Sequence, residues 1–269
     1  MSTLPELQKV DENQILDQNW SAEVRQKFYY TPQGTRVLYY EGFVYFEQPT
    51  LSIFGDPGLL SQDDYLARFG FIPDTNYDPK LNPNNLPIGF ALDPDFTDPP
   101  SGPKIPMLGL TCAAFHTTEL HFKENDKTIG IRIEGAPTMT HLANFQKTVG
   151  LSVAYTYYVP GRFDRFAKRV LSKETTEKLK TSLKSLIDVG VKHSEINDKL
   201  KLEAVEGGFS RTDALGRILN QVFGWSMNDT NPPGPINTAN LSPVDAPVNY
   251  PHIWDSSWFD WVQYNASIH

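Results

Sequence analysis

One stretch of the chain carries side chains whose types and spacing suit cofactor chemistry: Gly109-Leu-Thr-Cys-Ala-Ala-Phe-His-Thr-Thr-Glu-Leu120. Cys112 is the single cysteine, and His116 lies one helical turn beyond it. A thiol can add to a haem vinyl group, and an imidazole nitrogen can ligate the iron. The c-type attachment sequence is Cys-x-x-Cys-His. Cys112 and His116 occupy its first and last positions, and Phe115 stands where the second cysteine belongs. One thioether is therefore lost. Haem is expected either on a single thioether (c-type) or held non-covalently (b-type), with His116 as the iron ligand in both cases. Read alone, the same spacing also describes a buried thiol beside a hydrogen-bonded histidine.

The opposite face of an iron bound to His116 calls for a ligand, a water or an open site. Met139, Met227, His141 and His121 are the sequence candidates for a ligand. Methionine suits electron transfer, and an open face suits peroxide or dioxygen chemistry. Each methionine can equally be a packing residue. His252 and Trp254, in Tyr250-Pro-His-Ile-Trp-Asp255, either wall a cofactor pocket or anchor a long loop. Arg132 or Arg162 could fork onto a propionate, with surface ion pairs as the alternative. Arg211 and Asp213 read as a pair at a loop–helix junction, the aspartate as a cap. There is no phosphate loop, no Gly-x-Ser-x-Gly, no His-Glu-x-x-His and no cysteine-rich zinc site.

The stretch around Cys112 resembles the first haem site of the di-haem cytochrome c peroxidase-like family, which includes rubber oxygenases. It departs at Phe115 and Thr118. Other segments are similar as well: Gln33-Gly-Thr-Arg-Val-Leu-Tyr-Tyr40, Asn85-Leu-Pro-Ile-Gly-Phe90, Ile133-Glu-Gly-Ala-Pro137, Phe163 to Leu171, Gly208 to Arg217, and Val248 to Asp255 with Asp260 to Asn265. The match runs from about residue 33 onward. It implies a haem oxidoreductase of peroxidase, oxygenase or electron-transfer type, with Cys112, His116, Phe115 and Trp254 around the cofactor and His116 on the iron. It also implies a redox partner or a C-terminal haem domain. The family carries a second Cys-x-x-Cys-His further on, and with one cysteine this chain holds none. The expectation is a fragment or a half-protein whose second haem domain is absent. The alternative is a degenerate, haem-poor domain acting as a binding or scaffold module. The family is periplasmic or secreted, whereas the first residues here lack the basic head and apolar run of a signal peptide.

Composition narrows the classes that remain. The net charge is -8, and the densest basic run, Lys168 to Lys184, is interrupted by Glu174 and Glu177, so it reads as a solvated helix face and not as a nucleic-acid surface. No apolar run approaches the ~18 residues of a membrane span.

The elements that must position the site follow from periodicity. A helix is expected around Ser21–Tyr30, and a second after Ser61-Gln-Asp-Asp64, ending near Gly70. Arg36–Phe46 is ambiguous between helix and strand. Residues 73–106 read as a proline-rich loop, and Asn231-Pro-Pro-Gly-Pro235 opens another. Thr128–Glu134 alternates like a strand. Helices are expected over about 138–158, 163–202 (with a break near Gly190) and 212–223. The fold class expected is mainly α: a cytochrome c-like helical core with long proline-rich loops and little β. A single domain over 1–269 is expected, with residues 1–105 wrapping the core and 163–205 as a helical insertion.

Overall fold

The computed structural model describes residues 4–7, 9–50, 57–97, 100–170, 176–226 and 236–261. Met227, the loop opening at Asn231 and the end of the 260–265 segment lie outside the described residues. Along the chain the elements are β1 (Glu12–Ile15), α1 (Ala22–Tyr30), β2 (Leu38–Tyr39), α2 (Tyr40–Tyr45), α3 (Asp63–Ala67), β3 (Phe90–Asp93), β4 (Met107–Leu110), β5 (Thr117–Glu124), β6 (Lys127–Glu134), α4 (Leu142–Tyr158), α5 (Arg162–Arg169), α6 (Thr176–Leu200), β7 (Arg211–Thr212), α7 (Ala214–Leu219) and β8 (Val248–Asn249). A short 3-10 turn, Cys112–Ala114, separates β4 from β5. The chain divides into two compact units, Met1–Tyr40 with Gln62–Thr140 and Tyr250–His269, and Glu41–Ser61 with His141–Asn249.

The first unit overturns the mainly-α expectation. It contains two three-stranded sheets, ordered β1-β6-β5 and β2-β4-β3, and a third small sheet, β7-β8, lies in the second unit. The fold is an α/β mixture and not a helical cytochrome core. Two local features account for the difference. Asn125 and Asp126 both adopt left-handed backbone (φ 47° and 63°), which is the twist a two-residue hairpin needs. They join β5 to β6 in antiparallel register from Thr117↔Glu134 to Glu124↔Lys127. The supposed loop of residues 73–106 also contains β3, which pairs antiparallel with β4.

Burial along β6 is inverted relative to its chemistry. Arg132 and Glu134 are 3% and 0% exposed, whereas Ile131 and Ile133 are only half-buried. A charged residue is buried at such a position only when paired and hydrogen-bonded; α1 supplies side-chain partners for Glu134, and Arg132 pairs with Asp74 and Glu119. Ser21 caps this helix, accepting from the Val24 amide. Arg25 and Tyr29, one turn apart, both reach Glu134 Oε1, at 2.7 and 2.6 Å. Tyr30 donates to Asp74 Oδ2 at 2.8 Å. Tyr29 and Tyr30 also pack with Ile88 and Ala113 in an apolar cluster, so one helix serves the apolar core and the buried charges together.

The second unit is helical. On α4, Phe145, Val149 and Val153 recur at helical spacing and are buried. On α6 only Leu183 and Ile187 are buried, and the helix runs through Gly190 without a break. Leu186 and Val191 are about half exposed. The helix expected over 212–223 is α7 followed by a π-helical turn, Asn220–Ser226. Glu47, 2% exposed, accepts two hydrogen bonds of 2.7 Å from Arg165 and one of 3.1 Å from Arg169. Arg162 donates to the carbonyls of Gln48 and Thr50.

Among the described residues, no helix is long and apolar enough to cross a membrane.

Candidate haem-ligating turn

The turn bearing Cys112 and His116 is fixed from four directions. Thr111 caps it, accepting from the Ala113 amide, and its hydroxyl donates to the Tyr29 carbonyl. The Cys112 amide donates to Gln33 Oε1 at 2.9 Å. The Thr140 hydroxyl donates to the Ala114 carbonyl, and the Thr138 amide to the Phe115 carbonyl. Gly89, at φ +88°, passes so close that a Cβ there would lie 2.2 Å from the Ala114 nitrogen. That approach lets the Gly89 carbonyl accept from the Thr111 amide at 2.8 Å.

Within the turn, the His116 amide donates to the Cys112 carbonyl at 2.8 Å. This is the i to i+4 closure of a helical turn, which brings those two side chains to one face. Cys112 is exposed with a free thiol, and His116 is half-buried. The His116 Nδ1 lies 2.9 Å from the Pro251 carbonyl. A carbonyl can only accept, so Nδ1 carries the proton and Nε2 holds the free lone pair. Among the described residues Nε2 has no hydrogen-bond partner. Burial lowers the pKa of His116, the Pro251 carbonyl opposing it in part. The neutral form that a metal requires is thereby favoured.

These are the requirements for an iron-ligating imidazole: a fixed tautomer, an oriented ring, a backbone acceptor behind it and a lone pair in front. His116 Nε2 is therefore available as a ligand. Among the described residues there is no cluster of three or more His, Cys, Asp or Glu side chains that could hold a bare ion; a porphyrin supplies its own equatorial nitrogens and needs no such cluster.

Phe115 turns to Tyr250, ring centroids 5.5 Å apart. Trp254 donates from Nε1 to the Glu134 carbonyl at 2.6 Å, and its ring fills the space a Cβ on Gly135 would take. The next bond, Ile253 amide to Gly135 carbonyl at 2.9 Å, completes the anchor. Trp254 therefore fastens the 250–261 segment beside the turn and remains 52% exposed. His252 stacks on it at 5.4 Å. Neither Pro251 nor Glu134 was among the sequence candidates. Their contributions come from a backbone carbonyl and a buried strand residue, which side-chain patterns do not mark.

The candidate axial groups are placed elsewhere. From Thr117 to His121 the chain is extended strand, about 13 Å at ~3.3 Å per residue, so His121 cannot reach across an iron on His116. It pairs with Glu119 at 2.9 Å instead. Met139 lines a separate cavity. His141 is buried in the second unit as the N-cap of α4, with Nε2 3.3 Å from Glu206. Arg132 is engaged by the Pro73 carbonyl, Asp74 and Glu119. Asp213 caps α7, accepting from the Gly216 amide.

No family model matches the chain, and no solved structure matches it. It is 39% identical over 280 aligned residues to the uncharacterized protein y4iJ of Sinorhizobium fredii (strain NBRC 101917 / NGR234). The alignment covers 98% of this chain and 44% of that protein, so the chain spans less than half the length of this relative.

Proposed function

We propose that the first unit binds one haem through His116 Nε2, as a c-type cytochrome-like oxidoreductase module. The single observation that carries this reading is the His116 imidazole, with Nδ1–H held by the Pro251 carbonyl and Nε2 left as the donor. Cys112, on the same face of the turn and free, is the group for one thioether. Its sulfur would bond to one vinyl carbon and its proton would pass to the other, with no net oxidation. Haem so held supplies electron transfer or peroxide and oxygen chemistry. The chain's own part would be to ligate through His116 and to hold its ring in place through the Pro251 carbonyl. The electrons would come from a separate redox partner or a further haem domain.

The test is an absorption spectrum after expression with haem supply and a cytochrome c maturation system. A Soret band that survives acid–acetone extraction supports a thioether at Cys112, and one lost on extraction supports His116 ligation alone. No band under these conditions contradicts the reading and leaves a haem-free binding module. Phe115→Cys restores the second thiol, and covalent attachment in that variant alone would locate the defect in the tether and not in the pocket.

A further inference from the structure

We infer that a second ligand site lies in the first unit, away from the Cys112–His116 turn and independent of the haem reading. It is a cavity of about 470 Å³ between the N-terminal segment, the residues after α3 and the strand β5. Leu7, Val10, Phe71, Ile72 and Met139 give it largely apolar walls. Glu119 and His121 line it as well. Sites of this size and make-up, apolar with a few convergent polar groups, are the usual form of small-molecule pockets.

The polar end of this cavity is built rather than incidental. Glu119 and His121 sit two residues apart on β5, hence on one face. Their register partners on β6 are Arg132 and Gly130. The Glu119 side chain is 11% exposed, and its two oxygens are shared between two neighbours: Oε1 lies 2.9 Å from His121 Nε2, and Oε2 lies 3.5 Å from Arg132 Nη2. Arg132 is in turn held by the Pro73 carbonyl at 3.0 Å. Gly130 leaves the room this needs, since a Cβ there would meet Asn13 Oδ1 at 2.7 Å and Glu119 Oε1 at 3.0 Å. The opposite wall is tethered too, as Arg68 donates to the carbonyls of Leu4 and Pro5 at the start of the chain.

This construction selects the ligand's chemistry. Nε2 of His121 is engaged by Glu119, and Nδ1 is left for the ligand. A hydroxyl group, which both donates and accepts, suits that nitrogen in either of its forms. Among the described residues no lysine or arginine lines the cavity, whereas Glu6 and Glu119 do. Anionic ligands are disfavoured by that charge. The occupant is a neutral molecule of one or two rings that carries a hydroxyl group, phenolic or alcoholic, for His121.

Calorimetry on the full chain with 4-phenylphenol tests this, with biphenyl-4-carboxylate as the charged comparison. One site for the phenol is expected, with the carboxylate at least about tenfold weaker. His121→Phe keeps a ring and removes Nδ1, and should weaken phenol binding about tenfold, the equivalent of one hydrogen bond. Met139→Trp, at a residue 55% exposed on the rim, should abolish binding by filling the space. Circular dichroism of both variants confirms that the chain stays folded. No binding by the unmodified chain, equal binding of the carboxylate, or binding unchanged in folded His121→Phe or Met139→Trp would each overturn the inference.

Discussion

Replacing Tyr29 with Phe deletes one oxygen atom and tests the organisation of the first unit. The Tyr29 hydroxyl is buried and donates to Glu134 Oε1 at 2.6 Å. Burial raises its pKa, and the hydrogen bond to Glu134 raises it further, so it stays a donor at all ordinary pH. Glu134 is fully buried; among the described residues its Oε2 has no hydrogen-bond partner and Arg25 Nε is the other side-chain donor to Oε1. A hydrogen bond to a charged group is worth about 1.5–3 kcal/mol. Removing it here leaves a buried carboxylate with one side-chain donor, so the cost should lie in the upper part of that range, about 2–3 kcal/mol. Urea denaturation followed by tryptophan fluorescence measures it as a fall in midpoint at constant slope. Trp20 and Trp254 report on this unit. Tyr30→Phe is the control: Asp74 also accepts from the Asn76 amide and faces Arg132, so the loss should be smaller, about 1 kcal/mol. A Tyr29→Phe loss below about 0.5 kcal/mol, or one no larger than that of Tyr30→Phe, would refute the reasoning.

Three further outcomes are expected. Asp63 has its pKa raised to about 6 by burial and by Asp64 and Asp74. Its folded pKa exceeds its unfolded one, so it penalises the folded state as pH rises from about 4 and does so fully above about 6. Asp63→Asn should stabilise by about 1 kcal/mol at pH 7, after allowance for solvent screening, and not at pH 3.5, as read by thermal melts at the two pH values. Glu47→Ala strips the counter-charge from Arg162, Arg165 and Arg169 and should cost about 3 kcal/mol in denaturant melts, because the buried Arg162 guanidinium loses it while Arg165 and Arg169 remain partly solvated. Gly89→Ala forces a side chain into left-handed backbone 2.2 Å from the Ala114 nitrogen; the turn must shift, and amide exchange at Ala114 and His116 should accelerate by at least about tenfold relative to the unmodified chain.

Local signals in the sequence were legible where they were strong. Ser21 and the residues after it specify α1, the alternation of Thr128–Glu134 specifies β6, and the helix expected over about 138–158 is α4. The β content was not legible, for identifiable reasons. Asn125-Asp126 is a hairpin turn without glycine, and β5 (Thr-Thr-Glu-Leu-His-Phe-Lys-Glu) puts Leu120 and Phe122 on an exposed face while Glu119 turns inward. Its hydrophobic pattern therefore points away from the buried side. The mainly helical expectation came from the pattern of the chain itself, and the cytochrome c-like core from the resemblance around Cys112; the two sheets of the first unit replace both. Of the site, Cys112 and His116 do share one face of a turn. The proton acceptor behind the histidine, the Pro251 carbonyl, is contributed 135 residues away, and no local pattern announces such a partner.

Haem ligation by His116 is tested most directly by titrating the purified apo-chain with hemin in three forms: unmodified, His116→Gly, and His116→Gly with added imidazole. Ligation predicts one equivalent bound with a sharp Soret band in the unmodified chain, loss of that band in His116→Gly, and its return when imidazole refills the space. A spectrum unaffected by His116→Gly, or no stoichiometric band in the unmodified chain, would contradict it.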